Sequence, residues 1–330
     1  MLSPFQNIDY YGHNEIMLQL DTLFVGGKLN TSLMFCGPKG IGKSTMAFRF
    51  ANYLLSKESN KFINYKIDIE NPTNNQIKNL SHPNLIYINN ENTEEGFETE
   101  IKIDQVRSLR DKLKSKTLND SYRIIIIDTI DDLNKSSNNA LLKLLEEPPE
   151  STLFLLISNN LNLISETISS RCIKLKFKHL NEKDTQNILS IANIKIDKST
   201  IKSVFDGKYL TPGYIIFLLE NDIDQIIDDF KLFISLIGKK KYSRIIQLSK
   251  LYSQKENSLK FQIFIEIILI WIQRTAVKYD KTDTNNIYLL KLITFWEKYN
   301  NKYKQLLEMN YNKEEFILSL FRDIDNTIKI

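Results

Sequence analysis

The chain has 330 residues, 42% of them hydrophobic and 25% charged, and its net charge of +4 comes from 44 basic and 40 acidic side chains. That length exceeds one ordinary hydrophobic core, and the charge is too evenly mixed for composition alone to argue nucleic-acid binding. With only Cys36 and Cys172 present, neither a disulfide framework nor a zinc site is expected, and a reducing cytoplasm is the expected compartment.

Met1 to Tyr10 has no basic stretch followed by an apolar core, so no signal peptide is expected. Leu33-Met34-Phe35-Cys36 predicts a strand, and Ser44 to Leu55 predicts a helix through Met46, Ala47, Phe50, Ala51 and Leu54. The polar stretch from Ser56 to Ser81, rich in Asn and Lys, predicts a weakly structured surface excursion. Leu85 to Ile88 predicts the next strand, and Asp104 is the expected N-cap of a helix through Val106, Leu109 and Leu113. Ile124 to Ile127 reads as a strand buried on both faces. A helix from Asn139 to Glu147 is stopped by Pro148-Pro149, and strands are expected at Leu153–Ile157 and Ile173–Phe177. Alternating strands and helices imply a parallel sheet covered on both faces.

Beyond His179 only helical spacing remains, with Lys239-Lys240-Lys241 expected near a turn between helices. The apolar stretch from Ile263 to Ile272 is interrupted by Glu266 and is too short for a membrane span, so no membrane association is expected. The aromatic side chains Phe261, Trp271, Phe295, Trp296 and Phe321 recur at helical spacing and are assigned to core and subunit interface rather than to base stacking.

Gly37-Pro38-Lys39-Gly40-Ile41-Gly42-Lys43-Ser44 matches G-x-x-x-x-G-K-[ST] in full, between a strand and a helix, and Thr45 follows in the first helical turn. The glycines let backbone N–H groups face a phosphate at a helix N-terminus, Lys43 reaches the β- and γ-phosphates, and Ser44 coordinates Mg²⁺. Asp128, at the end of the Ile124–Ile127 strand, is the second expected ligand beside the metal. The following residue is Thr129, whose hydroxyl cannot act as a general base near neutral pH. ATP or ADP with Mg²⁺ is therefore the expected cofactor, bound with little or no hydrolysis.

Asn139-Ala140-Leu141-Leu142-Lys143-Leu144-Leu145-Glu146-Glu147-Pro148-Pro149 resembles the "NALLK-LEEPP" segment of bacterial clamp-loader subunits, and Ser170-Arg171-Cys172 resembles their "SRC" motif. Between them, Phe154 to Asn160 resembles the strand and polar tip called sensor 1, with Asn159 at the matching position. Tyr11-Gly12-His13, His82-Pro83-Asn84-Leu85 and Ile103-Asp104-Gln105-Val106-Arg107 resemble recurrent segments of the delta-prime type within that family. The resemblance covers residues 8 to 178 and implies an α/β P-loop AAA+ domain with a parallel sheet at 1–178. It also implies a small helical lid at 179–232 and an all-α C-terminal collar domain at 233–330. Arg171 is then an arginine finger acting in trans on a neighbouring subunit's ATP.

The implied partners are the other clamp-loader subunits, delta and gamma/tau, and through them the sliding clamp and primer-template DNA. Lys135 and Lys143 are candidates for backbone contact with that DNA, although solvated surface lysines are the favoured reading of both. The chain departs from the family's ATPase subunits at Thr129, where glutamate is usual, and at Tyr214, where a motor subunit places arginine. It also lacks the four-cysteine zinc insert. An active motor ATPase of gamma/tau type and a P-loop small-molecule kinase are the two alternatives.

Overall fold

Why the Ile124–Ile127 run forms a covered strand is visible in the computed structural model, where alternate residues pack into different cores. Ile124 and Ile126 face one apolar layer with Leu33, Phe35, Leu153 and Leu155, while Ile125 and Ile127 face another with Met34, Cys36, Phe154 and Leu156. This period of two is the pleat of a strand, and burial on both sides is what a wholly apolar β-branched run is suited to. The structure describes residues 3–27, 32–57, 61–90, 92–93, 96–97, 101–113, 122–192, 211–239, 241–280, 286–309 and 312–327.

The strands are β1 (Ser32–Cys36), β2 (Leu85–Asn89), β3 (Arg123–Asp128), β4 (Thr152–Ser158) and β5 (Cys172–Lys176). They pair in parallel in the order β2-β3-β4-β1-β5. Helices α1 (Asn14–Val25) and α2 (Lys43–Leu55) cover the first layer. After α3 (Pro72–Lys78), helices α4 (Ile103–Leu113), α5 (Lys135–Glu146) and the short α6 (Glu166–Ser169) cover the second. The register aligns Phe35 with Ile157 and Asp128 also with Ile157, so the C-terminal tips of β1, β3 and β4 stand side by side. In parallel α/β sheets, this edge is where ligands bind.

Two local expectations are corrected. Helix α4 begins at Ile103, so Asp104 lies inside its first turn; the Gln105 side chain instead reaches back to the Lys102 N–H at 2.9 Å. The stretch after Ser56 is also more ordered than its composition predicts. Phe62 and Tyr65 are buried, and α3 starts at Pro72 with Asn71 as its cap. What composition hides is a set of long-range polar anchors. The buried Asp21 carboxylate accepts the Phe62 N–H at 2.5 Å and the Ile63 N–H at 3.1 Å, and Arg49 donates to the Tyr65 carbonyl. Asn52 joins Asn74 at 3.1 Å and accepts the Tyr65 hydroxyl at 2.6 Å. Replacing Asp21 by Ala strands two backbone donors in the interior, so we expect a loss of about 1–3 kcal/mol, read as a lower denaturation midpoint.

Residues up to 192 together with Thr211–Tyr214 form one compact unit, which includes α7 (Glu182–Ile191) and the start of α8 (Pro212–Leu219). The chain from Ile215 onward belongs to a second, helical unit. The second unit continues through α9 (Ile223–Leu236), α10 (Tyr242–Ser253), α11 (Ser258–Asp280), α12 (Asn286–Met309) and α13 (Lys313–Thr327). Its centre is aromatic: Phe264 stacks on Tyr252 at 4.4 Å, and Phe233 meets both Phe264 and Phe321 edge-on. The Tyr299 hydroxyl donates to Asp323 at 2.6 Å. Among the described residues no helix is long and apolar enough to cross a membrane. Lys240 and residues 193–210 of the expected lid lie outside the described residues.

Candidate functional site

β1 ends at Cys36, and Gly37 turns the chain so tightly against Phe177 that an added Cβ would lie 2.7 Å from the Phe177 carbonyl oxygen. Gly40 has a positive φ of 76° and lies against the segment at the start of α8. An added Cβ there would be 2.6 Å from Thr211 Oγ1 and 2.7 Å from the Tyr214 nitrogen. Thr211 Oγ1 donates to the Lys39 carbonyl at 2.6 Å, and the Gly213 N–H donates to the Gly40 carbonyl at 3.0 Å. Two glycines, Gly40 and Gly213, thus allow backbone to meet backbone where any side chain would intrude. On another side His13 Nε2 lies 3.3 Å from the Ile41 carbonyl, and burial holds the His13 pKa below its ordinary value of 6.5.

The loop delivers Lys43 and Ser44 into the first turn of α2 beside the sheet tips. Lys43, only 3% exposed, donates to the Gly37 and Pro38 carbonyls at 2.7 Å each and to Asn159 Oδ1 at 2.9 Å. These three bonds use all the protons of its ammonium group. Burial pulls the Lys43 pKa down to about 8, partly opposed by the carboxylates of Asp128 and Asp131. Ser44 Oγ donates to Asp128 Oδ2 at 2.6 Å. Burial pushes the Asp128 pKa above the usual carboxylate value, with the Ser44 hydrogen bond and the Lys43 charge opposing. Tyr87, on β2, has its hydroxyl 3.5 Å from the same carboxylate oxygen.

Thr129 is turned away from this cluster in its bonding: its hydroxyl donates to Asp132 at 2.7 Å, and Asn90 donates to Asp132 at 2.6 Å. Asp131 points to a different partner again, the tip of β4, where it accepts the Ser158 hydroxyl at 2.8 Å and the Asn159 N–H at 2.5 Å. Of the residues singled out by sequence, the structure therefore joins Lys43 to Asn159 and Ser44 to Asp128. Thr45 occupies the first turn of α2 and Ile41 is buried beneath the loop. Arg171 stands apart, between α6 and β5. Its guanidinium donates to the Thr167 carbonyl at 2.7 Å and to Glu146 Oε1 at 2.6 Å, and its side chain is 35% exposed. Sequence reasoning gave no role to Asp131 or Thr211, and it singled out the Pro212-Gly213-Tyr214 segment without its contact with the loop at Gly40.

The sheet order, the loop between β1 and α2, the carboxylate at the tip of β3 and the asparagine beyond β4 together define a P-loop protein of the AAA+ class. Residues 12–181, just over half of the chain, match a family model described as DNA polymerase III, delta subunit, and the chain belongs to this clamp-loader family.

Its relatives include the DNA polymerase III subunit tau of Bacillus subtilis (strain 168), 29% identical over 199 residues, which are 59% of this chain and 32% of that protein. The chain thus spans about a third of the length of that relative. A DNA polymerase III subunit gamma of Buchnera aphidicola subsp. Acyrthosiphon pisum is 24% identical over 324 residues, 92% of this chain and 84% of the relative. A subunit delta' of Buchnera aphidicola subsp. Schizaphis graminum is 27% identical over 231 residues, 68% of either chain. Relatives of both subunit types match, so similarity alone does not choose between them.

Proposed function

We propose that this chain is a delta-prime type, stator-like subunit of a DNA polymerase III clamp loader. It binds ATP or ADP with Mg²⁺, hydrolyses it poorly, and lends Arg171 to a neighbour's ATP site. The observation that carries the reading is the pairing of an intact phosphate loop with Thr129. The Lys43–Asn159 and Ser44–Asp128 contacts support nucleotide binding, while the Thr129 hydroxyl is committed to Asp132 and has no capacity to take a proton from water.

The donor set fits a magnesium nucleotide. The Gly37, Pro38 and Asn159 oxygens that now hold Lys43 are neutral, and phosphate oxygens replacing them would put a negative charge on the acceptor side as well, which makes the bonds stronger. Ser44 and Asp128 would hold the metal, with Gly37 to Thr45 around the phosphates and Asn159 at their far end. When bound, Mg²⁺ neutralises charge on the β- and γ-phosphates. The domain reading that accompanies this is an AAA+ domain at 1–178, a lid at 179–232 and a collar at 233–330 that joins delta and gamma/tau subunits. The assembly would work in the cytoplasm, placing a sliding clamp on primer-template DNA.

A second reading, a gamma/tau-type motor, is favoured by the gamma relative that matches 92% of the chain. Phosphate release by the isolated chain separates the two. At saturating ATP with Mg²⁺, we expect a rate indistinguishable from buffer. A robust rate that disappears in Lys43→Ala would replace the stator with the motor.

A further inference from the structure

Asp131 lies on the single turn of 3-10 helix, Ile130–Asp132, that follows the tip of β3. It is one of three carboxylates within five residues, and each has a different duty. Asp128 accepts from Ser44, Asp132 accepts from Thr129, and Asp131 crosses to the tip of the neighbouring strand β4. Its two oxygens take three donors there: Ser158 Oγ at 2.8 Å and Asn160 N at 3.4 Å on Oδ1, and Asn159 N at 2.5 Å on Oδ2. Ser158 is fully buried, while Asp131 and Asn159 are half-buried and Asn160 is exposed, so the tie between the two strand tips runs from the interior to the rim of the sheet. Beyond Ser158 the chain leaves the sheet, and a backbone N–H there has lost its ladder partners; the carboxylate replaces them. The Asn159 side chain, carried by that backbone, meets Lys43 Nζ at 2.9 Å.

Resting on the nucleotide-binding reading above, we propose that Asp131 is a positioning residue that sets the preference of the site for a triphosphate over a diphosphate. It acts through Asn159. The β-phosphate of either nucleotide would be held by the loop N–H groups and Lys43, whereas a γ-phosphate would extend past Lys43 toward the tip of β4 and so also meet the Asn159 amide, which already touches the Lys43 ammonium. A diphosphate stops short and has little use for Asn159. Holding the backbone of residues 158–160 in advance removes the ordering cost that the triphosphate would otherwise bear on binding. Asparagine at 131 keeps the shape but has a single acceptor oxygen, and its amide would confront one of the three donors with another donor.

Calorimetric titration of ATP and of ADP, each with Mg²⁺, into the full chain tests this. The variants are Asp131→Asn, Asn159→Ala, their combination, and Ser158→Ala, with thermal melting as the check on folding. In Asp131→Asn the ATP-over-ADP preference should fall about tenfold, some 1.4 kcal/mol, with ADP affinity changed less than twofold. The double variant should be no worse than Asn159→Ala alone, the non-additivity of two groups acting as one. Ser158→Ala removes one donor and should lower the preference by a smaller factor, which decides the matter if Asp131→Asn does not fold. Equal weakening of both nucleotides, an unchanged preference, a wild type with no preference, or additive losses in the double variant would overturn the proposal. A wild type that binds neither nucleotide would overturn the nucleotide reading as well, and so the two failures are told apart.

Discussion

Arg171→Ala is expected to leave nucleotide binding by this chain unchanged while lowering hydrolysis at the adjacent subunit's site by roughly 10³- to 10⁵-fold, the range typical of arginine fingers. The position suits that task. Arg171 lies between the short helix α6 and β5, is part exposed, and its guanidinium hydrogen-bonds to Thr167 and Glu146 among the described residues. The Glu146 carboxylate is itself 49% exposed. Exposed ion pairs of this kind contribute only about 0–1 kcal/mol, so a phosphate on a neighbouring subunit can displace it at small cost. Meanwhile the pair keeps the guanidinium extended at the domain edge. Arg171→Lys should not rescue the loss, because a lysine ammonium lacks the planar fork that engages two phosphate oxygens. The measurement is ATPase of the reconstituted assembly stimulated by clamp and primed DNA, with assembly checked by size-exclusion chromatography. Because other sites continue to turn over, the total rate falls by less than the affected site does. Unaltered hydrolysis in an intact Arg171→Ala complex would make this arginine a structural partner of Glu146.

Lys43→Ala should weaken ATP binding at least tenfold, about 1.4 kcal/mol or more. In the wild type the ammonium is already buried, desolvated and centred among the Gly37 and Pro38 carbonyls and Asn159. Moving it from neutral acceptors to phosphate oxygens is a net electrostatic gain that alanine forfeits entirely. The removal also leaves Asn159 without its Lys43 contact, so the variant loses part of the far end of the site together with the charge. Calorimetry with Mg²⁺ checks the result. Binding within twofold of wild type would mean that the loop carbonyls keep Lys43 from the phosphates even in the complex.

Much of the sheet was legible because it is written locally. Ile124 to Ile127 and Leu153 to Ile157 are apolar runs that only a doubly covered strand buries, and both occupy the centre of the sheet. The loop from Gly37 to Ser44 was legible because its chemistry requires those residue types in that order; Asp128 followed from its place at the end of a strand, and Asn159 only from the resemblance to the sensor 1 segment. The missed features depend on partners far along the chain. Asp131 is defined by donors at 158–160, the Thr211 hydroxyl by a carbonyl 172 residues earlier, and the burial of Phe62 by a carboxylate 41 residues before it. No periodicity encodes such pairings. For the same reason the polar stretch after Ser56 read as a loose surface segment, although Asp21, Arg49 and Asn52 fasten it to the domain.

The central claim, membership of a working clamp loader, is tested most directly by mixing this chain with delta and gamma/tau subunits from the same source and running size-exclusion chromatography. One co-eluting complex that contains this chain, and that does not form with the remaining subunits alone, is the expected result. Elution of this chain by itself while the other subunits assemble without it would contradict the account.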